Sequence, residues 1–202
     1  MARVSRSAYL ESALDVLAQA GSEGLTVAGL CSRLGVTKGS FYHHFAGMPE
    51  FVTALLEFWE DQRSQRLIAA SRAEPDPRAR YRLLLGIAVG LPHAAEASLR
   101  AWGRSNAEVR AVVARVDEAR ERHLTESMMM FGLPAERARL RARIAIAVLV
   151  GAQQREDPVD VDGLRAMLEE LSAELPEGPS DETYLGVCSA PATQPPPKGN
   201  RR

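Results

Sequence analysis

Aromatic residues make up only 5% of this 202-residue chain, cysteine occurs twice, and charge of neither sign dominates. Each shortage excludes something. No apolar run approaches the ~18 residues that a membrane span requires, and the opening MARVSRSAYLES lacks the apolar core of a signal peptide. A soluble, cytoplasmic protein with no membrane partner is therefore expected. Cys31 and Cys188 fall in a predicted core helix and in a polar tail, which leaves neither a disulfide framework nor a zinc site. Low aromatic content beside 46% hydrophobic residues, with Ala, Leu, Arg and Glu abundant, favours packed helices over sheet. The 25 Lys and Arg oppose 26 Asp and Glu, so bulk charge names no partner. In residues 1–46, Arg3, Arg6, Arg33 and Lys38 outnumber Glu11, Asp15 and Glu23 by one charge. Arg3 and Arg6, ahead of the first helix, are candidates for a basic arm over phosphates or in a minor groove.

What the chain does contain is concentrated in residues 26–45, TVAGLCSRLGVTKGSFYHHF. Thr26 is placed to cap a helix whose Val27, Leu30, Cys31 and Leu34 recur on one face. Gly35 stops that helix, Val36 anchors the turn, and Thr37 offers a side-chain oxygen to cap a second helix starting at Lys38. Phe41 and Phe45, four apart, pack inward and leave Tyr42, His43 and the first turn outward. His44 reads as a packing or capping residue. A glycine at position 39 costs about 1 kcal/mol in a helix; close approach of another backbone is the compensating gain.

These residues resemble the N-terminal domain of the TetR family of bacterial transcriptional repressors. The resemblance covers roughly the first fifty residues and needs no metal or cofactor. It implies that Thr26, Thr37, Lys38, Tyr42 and His43 contact the DNA backbone, and that Thr37, Gly39 and Ser40 sit where bases are approached. It also implies an all-α fold, with a three-helix helix-turn-helix domain over 1–47 and a larger ligand-binding and dimerisation bundle, about nine helices in all.

The remaining pattern is helical. Pro49 opens a helix predicted to run to about Arg72, and Asp76-Pro77 restarts one through Leu91. Pro92 begins a segment through Trp102, Ser105-Asn106 caps a long helix ending at Phe131-Gly132, and 134–154 and 161–175 form a final pair. The bundle is thus assigned to 48–176. From 177 to 202 the Pro-, Ser- and Gly-rich sequence is expected to be disordered.

The final pair carries Leu140, Ile144, Val148, Leu164, Leu168 and Leu171 in stripes among alanines. By the resemblance these helices form a homodimer seam, and one motif reads too few bases to specify a site alone. The middle bundle is implied to enclose a small-molecule effector. Phe58, Trp59, Tyr81, Trp102, Arg120, His123 and Met128, large or polar residues on predicted inward faces, are the candidate walls. The function expected is that of a regulator, not an enzyme. It would bind a double-stranded, palindromic DNA operator as a homodimer and release it on effector binding. The alternative is a helical-bundle enzyme or ligand-storage protein, with His93, His123 and Glu126 as conceivable metal ligands. Di-iron bundles use Glu-x-x-His in that order together with further glutamates, an order this chain lacks.

Overall fold

A computed structural model of the chain describes residues 4–173, with the side chains of Arg63 and Ser64 left out. The expected tail at 177–202 and the outer ends of both expected domains lie outside the described residues. So does Arg3.

Ten α-helices are described: α1 (Arg6–Ala20), α2 (Val27–Leu34), α3 (Lys38–His44), α4 (Met48–Glu60), α5 (Arg66–Arg72), α6 (Pro77–Val89), α7 (His93–Gly103), α8 (Ala107–Met129), α9 (Ala135–Arg155) and α10 (Val161–Ala173). Their starts follow local capping chemistry. Ser5 Oγ accepts from Ala8 N (3.2 Å), Asp76 Oδ2 from Ala79 N (2.7 Å) and Asn106 Oδ1 from Val109 N (3.1 Å), each satisfying a donor that the first turn leaves without a partner.

One expectation needs correcting. The helix predicted over Pro49–Arg72 is not regular, because Asp61–Gln65 between α4 and α5 adopts the wider π-helical winding. Arg66 Nε and Asp61 Oδ2, 3.0 Å apart, bridge that segment. The rod continues through it without a break, so α4 and α5 are one mechanical element with an irregular joint.

Three apolar clusters form the interior. The first joins Tyr9, Leu14 and Leu17 of α1, Leu30 of α2, Phe41 of α3 and Phe51, Leu55 and Trp59 of α4. It also takes in Leu99 of α7 and Val109, Val112 and Val116 of α8. The second gathers Val89, Leu91, Ala145, Leu149, Leu164 and Leu168. The third holds Tyr81, Met128, Phe131, Leu133, Ala138 and Ala142. Small residues at 138, 142 and 145 let α9 lie close to α8.

Between clusters one and two runs a buried polar seam. Glu96 of α7, 1% exposed, accepts from both terminal nitrogens of Arg120 of α8, at 2.9 and 2.6 Å. Gln153 Nε2 of α9 donates to the same carboxylate at 3.1 Å. One turn along α7, Arg100 donates to both carboxylate oxygens of Asp117. Burial alone would push the Glu96 carboxyl up, but the Arg120 hydrogen bonds and charge, with Gln153 and Arg100, hold it below the usual range.

Candidate functional site

Helices α2 and α3 form the two-helix unit expected between residues 26 and 45. Thr26 Oγ1 accepts from Gly29 N at 3.0 Å, capping α2. A Cβ on Gly29 would fall 3.0 Å from that oxygen, a tight contact that the Thr26 side chain would have to relieve by a few tenths of an ångström. Gly35 ends α2 with φ 65°, in the left-handed region that a residue without Cβ tolerates. Gly35 N donates to Ser32 O and Val36 N to Cys31 O, the two bonds of a Schellman turn. Cys31 is buried and points its thiol at Thr37 O, 3.5 Å away. Phe41 and Phe45 pack with Phe51 and Tyr9, at ring separations of 5.0–5.9 Å. His44 Nε2 lies 2.9 Å from Val4 O.

This packing turns the first residues of α3 outward. Thr37, Lys38, Gly39, Tyr42 and His43 are exposed and Ser40 is half-buried. The Thr37 hydroxyl does not cap α3, contrary to the expectation, although its backbone takes the N-cap position. Its carbonyl accepts from Ser40 N instead, so the hydroxyl stays available to an outside partner. Lys38 makes no ion pair among the described residues. A Cβ on Gly39 would meet only Thr37 Oγ1, at an ordinary 3.6 Å, so nothing inside the chain requires glycine there. Tyr42 is 56% exposed. Arg6 is no free arm: it is the first residue of α1, its guanidinium lies 5.0 Å above the Phe45 ring, and it sits 3.7 Å from Glu50.

A cavity of about 100 Å³ lies within the bundle, walled by residues of α5, α6, α8, α9 and α10. Tyr81, Arg120 and His123 stand at its wall. Four expected wall residues stand elsewhere. Trp59 is buried in the first cluster, one turn beyond Leu55 on the same face of α4, and Phe58 and Trp102 pack against that cluster. Met128 is enclosed by the third. The wall of this cavity is mostly aliphatic: Leu67, Leu84, Leu85, Leu124, Ile146 and Leu149. In the sequence such residues cannot be told from ordinary core.

His123 is 2% exposed. Its Nε2 is hydrogen-bonded to Ser71 Oγ, and its Nδ1 lies 3.6 Å from Glu126 Oε2 without a hydrogen-bond partner. Burial lowers its pKa, assisted by the nearby Arg72 and Arg80 charges and opposed by Glu126, so the ring is neutral at pH 7. Among the described residues, no three His, Cys, Asp or Glu side chains gather as metal ligands. No helix of the described residues is long and apolar enough to cross a membrane.

The residues expected at a dimer seam divide into two sets. Leu164 and Leu168 are buried in this chain's own second cluster, and Val148 and Leu171 pack against it. Leu164 and Leu168 are thereby taken up by the packing of α10 against α6 and α9, whereas Val148 and Leu171 remain half-buried. Leu140 and Ile144 are 58% and 39% exposed, and Met167 is 46% exposed. With the exposed Ala147, the two α9 residues form an outward stripe of helical spacing.

Residues 10–55 match the family of bacterial regulatory proteins named tetR. The nucleoid occlusion factor SlmA of Escherichia coli is 33% identical over 89 residues, which is 44% of this chain and 45% of SlmA. The match therefore spans less than half of that relative. Among solved structures, a TetR-family transcriptional regulator from Rhodococcus sp. is similar at TM-score 0.68 and 20% identity, covering 84% of this chain and 97% of the other. The transcriptional regulator FadR from Bacillus subtilis, in complex with stearoyl-CoA, is similar at TM-score 0.62 and 17% identity, covering 84% and 98%.

Proposed function

We infer that this protein, whose N-terminal domain belongs to the tetR family of bacterial regulatory proteins, is a DNA-binding transcriptional regulator that acts as a repressor in the cytoplasm and carries out no catalysis. The observation that carries the reading is the outward face of α3. Among the described residues the Thr37 and Tyr42 hydroxyls and the Lys38 ammonium make no hydrogen bond or ion pair, and no neighbour requires glycine at 39, yet a glycine and a cation at a helix N-terminus are both unfavourable there. Contact with a phosphate backbone accounts for both. Lys38 and the Thr37 and Tyr42 hydroxyls bind phosphates, with Thr26 and His43 flanking them, while Gly39 and Ser40 approach base edges. Thr26 Oγ1 accepts from Gly29 N and still has its own proton to donate.

Replacing Lys38 by alanine should weaken binding to all duplexes alike and lower the salt dependence by about one unit, since one phosphate contact is lost. Fluorescence anisotropy across a salt series measures this. An unchanged slope would remove Lys38 from the interface.

The regulator works as a homodimer, because two copies of α3 must enter successive major grooves ~34–36 Å apart to read a palindrome. The exposed stripe Leu140, Ile144 and Ala147, with Met167, supplies the seam. Ile144→Glu should therefore give folded monomers in light scattering, since the position is exposed within one chain but buried in the pair. A wild-type mass of one chain at micromolar concentration would overturn the dimer.

The cavity takes an effector, and two elements carry its occupancy to the DNA-binding end. The α4–α5 rod runs from Phe51 in the first cluster to Leu67 at the cavity wall. Arg120, also at the wall, grips Glu96 of α7, which packs along α1. An effector that favours one spacing of the recognition helices shifts operator affinity by its differential binding, typically ~1–3 kcal/mol.

A further inference from the structure

We propose that the seam of the homodimer is crosswise, α9 of one protomer lying along α10 of its partner with Arg143 set against the partner's Glu170, so that opposite charges on the two helices select a second copy of this chain. The proposal rests on the homodimer reading, and it adds which helix meets which and what excludes other partners.

The outward face of α9 is defined by its neighbours. Arg139 reaches Glu121 of α8, 3.7 Å away, and Arg141 Nη1 donates to Leu171 O of α10 at 2.7 Å. Between those two directions lie Leu140, Ile144, Ala147 and Gly151, at spacings of four, three and four residues. That is the seam period of helices lying nearly side by side along their length. Gly151 supports it independently. A glycine in mid-helix is unfavourable, and a Cβ there would meet nothing within 4 Å. No neighbour in the chain requires the missing side chain, whereas a helix packed on this face approaches closer for it.

Charge decides what lies there. Arg143 directly precedes Ile144, on the flank of the seam where charged residues set partner and orientation. Arg137, Arg143 and Glu170 are exposed and make no ion pair or hydrogen bond among the described residues. On α10, Glu170 stands one turn from the exposed Met167, on the same side. Asp162, Arg165 and Glu169 lie roughly 140–160° away from Met167 round the helix. The side of α10 that carries Met167 is therefore acidic, and the outward face of α9 is basic. Residues 156–160 join the two helices and the Arg141 bond to Leu171 sets them antiparallel, so Arg143 and Glu170 stand near one level of the hairpin. Helix α9 packed on its own copy would gather Arg137 and Arg143 of both protomers, with only Glu136 of each to answer them. Crosswise packing gives each Arg143 a carboxylate, and the two-fold axis repeats the pair.

The test uses the full chain with Arg143→Glu and Glu170→Arg, made singly and together. Both positions are exposed within one chain, so folding is retained. In sedimentation equilibrium each single variant should dimerise roughly tenfold or more weakly than the wild type, because both copies of the pair become like charges. The double variant, its charges exchanged, should recover wild-type association. Mixing the two single variants should give, in native mass spectrometry, a mixed dimer well above the statistical half, since it restores both pairs. A single variant that dimerises as tightly as the wild type overturns the proposal, as does a mixture that stays statistical. So does a wild-type chain that prefers the Arg143→Glu chain to its own kind, the signature of α9 packed on α9. If a single variant does not fold by itself, co-expression of the two decides: a folded mixed dimer is expected, and its absence overturns the pairing. A wild-type mass of one chain refutes the homodimer and the pairing with it, whereas a wild-type dimer indifferent to both reversals refutes the pairing alone.

Discussion

Replacing Glu96 by alanine should destabilise the protein by about 3–5 kcal/mol, because it leaves the Arg120 guanidinium buried without its counter-charge. The Arg120 side chain is only 12% exposed, and the Glu96 carboxylate also anchors Gln153. Removing both charges should be far milder than removing one. The pair Glu96→Leu with Arg120→Met should recover most of the loss, since an apolar replacement of a buried ion pair is often neutral or stabilising. Urea denaturation of the three proteins measures this, and a single variant as stable as the wild type would show that the seam contributes nothing. The pH dependence follows the same logic. The folded pKa of Glu96 is depressed, so its contribution is fully present above the unfolded glutamate value of ~4.3 and is lost as pH falls through the folded value. The alanine variant should lack that part of the acid slope.

Phe41→Ala is expected to have an effect of similar size, again about 3–5 kcal/mol, for a fully buried aromatic. Phe41 is 0% exposed and touches Tyr9, Phe45 and Phe51, so the truncation leaves a void directly beneath the recognition helix. DNA affinity should fall with it, because α3 loses the anchor that sets its outward face. Lys38→Ala provides the contrast: it should weaken DNA binding with the melting temperature unchanged. Retention of both stability and operator affinity by Phe41→Ala would mean that α3 is held by its flanking turns alone.

The parts legible in the sequence were those governed by short-range chemistry. The Thr26 cap, the Gly35 stop, the inward Phe41 and Phe45 and the Asp76 and Asn106 caps depend on residues three or four apart, and each left a local signature. The parts that were not legible depend on which helix faces which. Trp59 and Trp102 are large and inward-facing, but their faces meet the first cluster and not the cavity. Leu164 and Leu168 have the spacing of a seam, yet that spacing does not say whether a stripe meets its own chain or another copy. The π-helical joint at Asp61–Gln65 carries no proline or glycine to announce it. The Glu96–Arg120 clamp joins residues 24 positions apart on different helices, and neither stood out as a partner for the other.

The first cluster does not end where the two-helix unit ends. Leu99, Val109, Val112 and Val116 belong to it together with Tyr9, Leu30 and Phe41, so the DNA-binding head is built partly from the body. This bears on transplantation. A chimera cut at residue 47 would set the head of one regulator against foreign side chains at those four positions, exposing apolar surface on both halves. A hybrid sensor would have to carry α7 and the first turns of α8 along with the head, or redesign both faces together. The exchangeable module in this protein is therefore larger than its contiguous N-terminal segment.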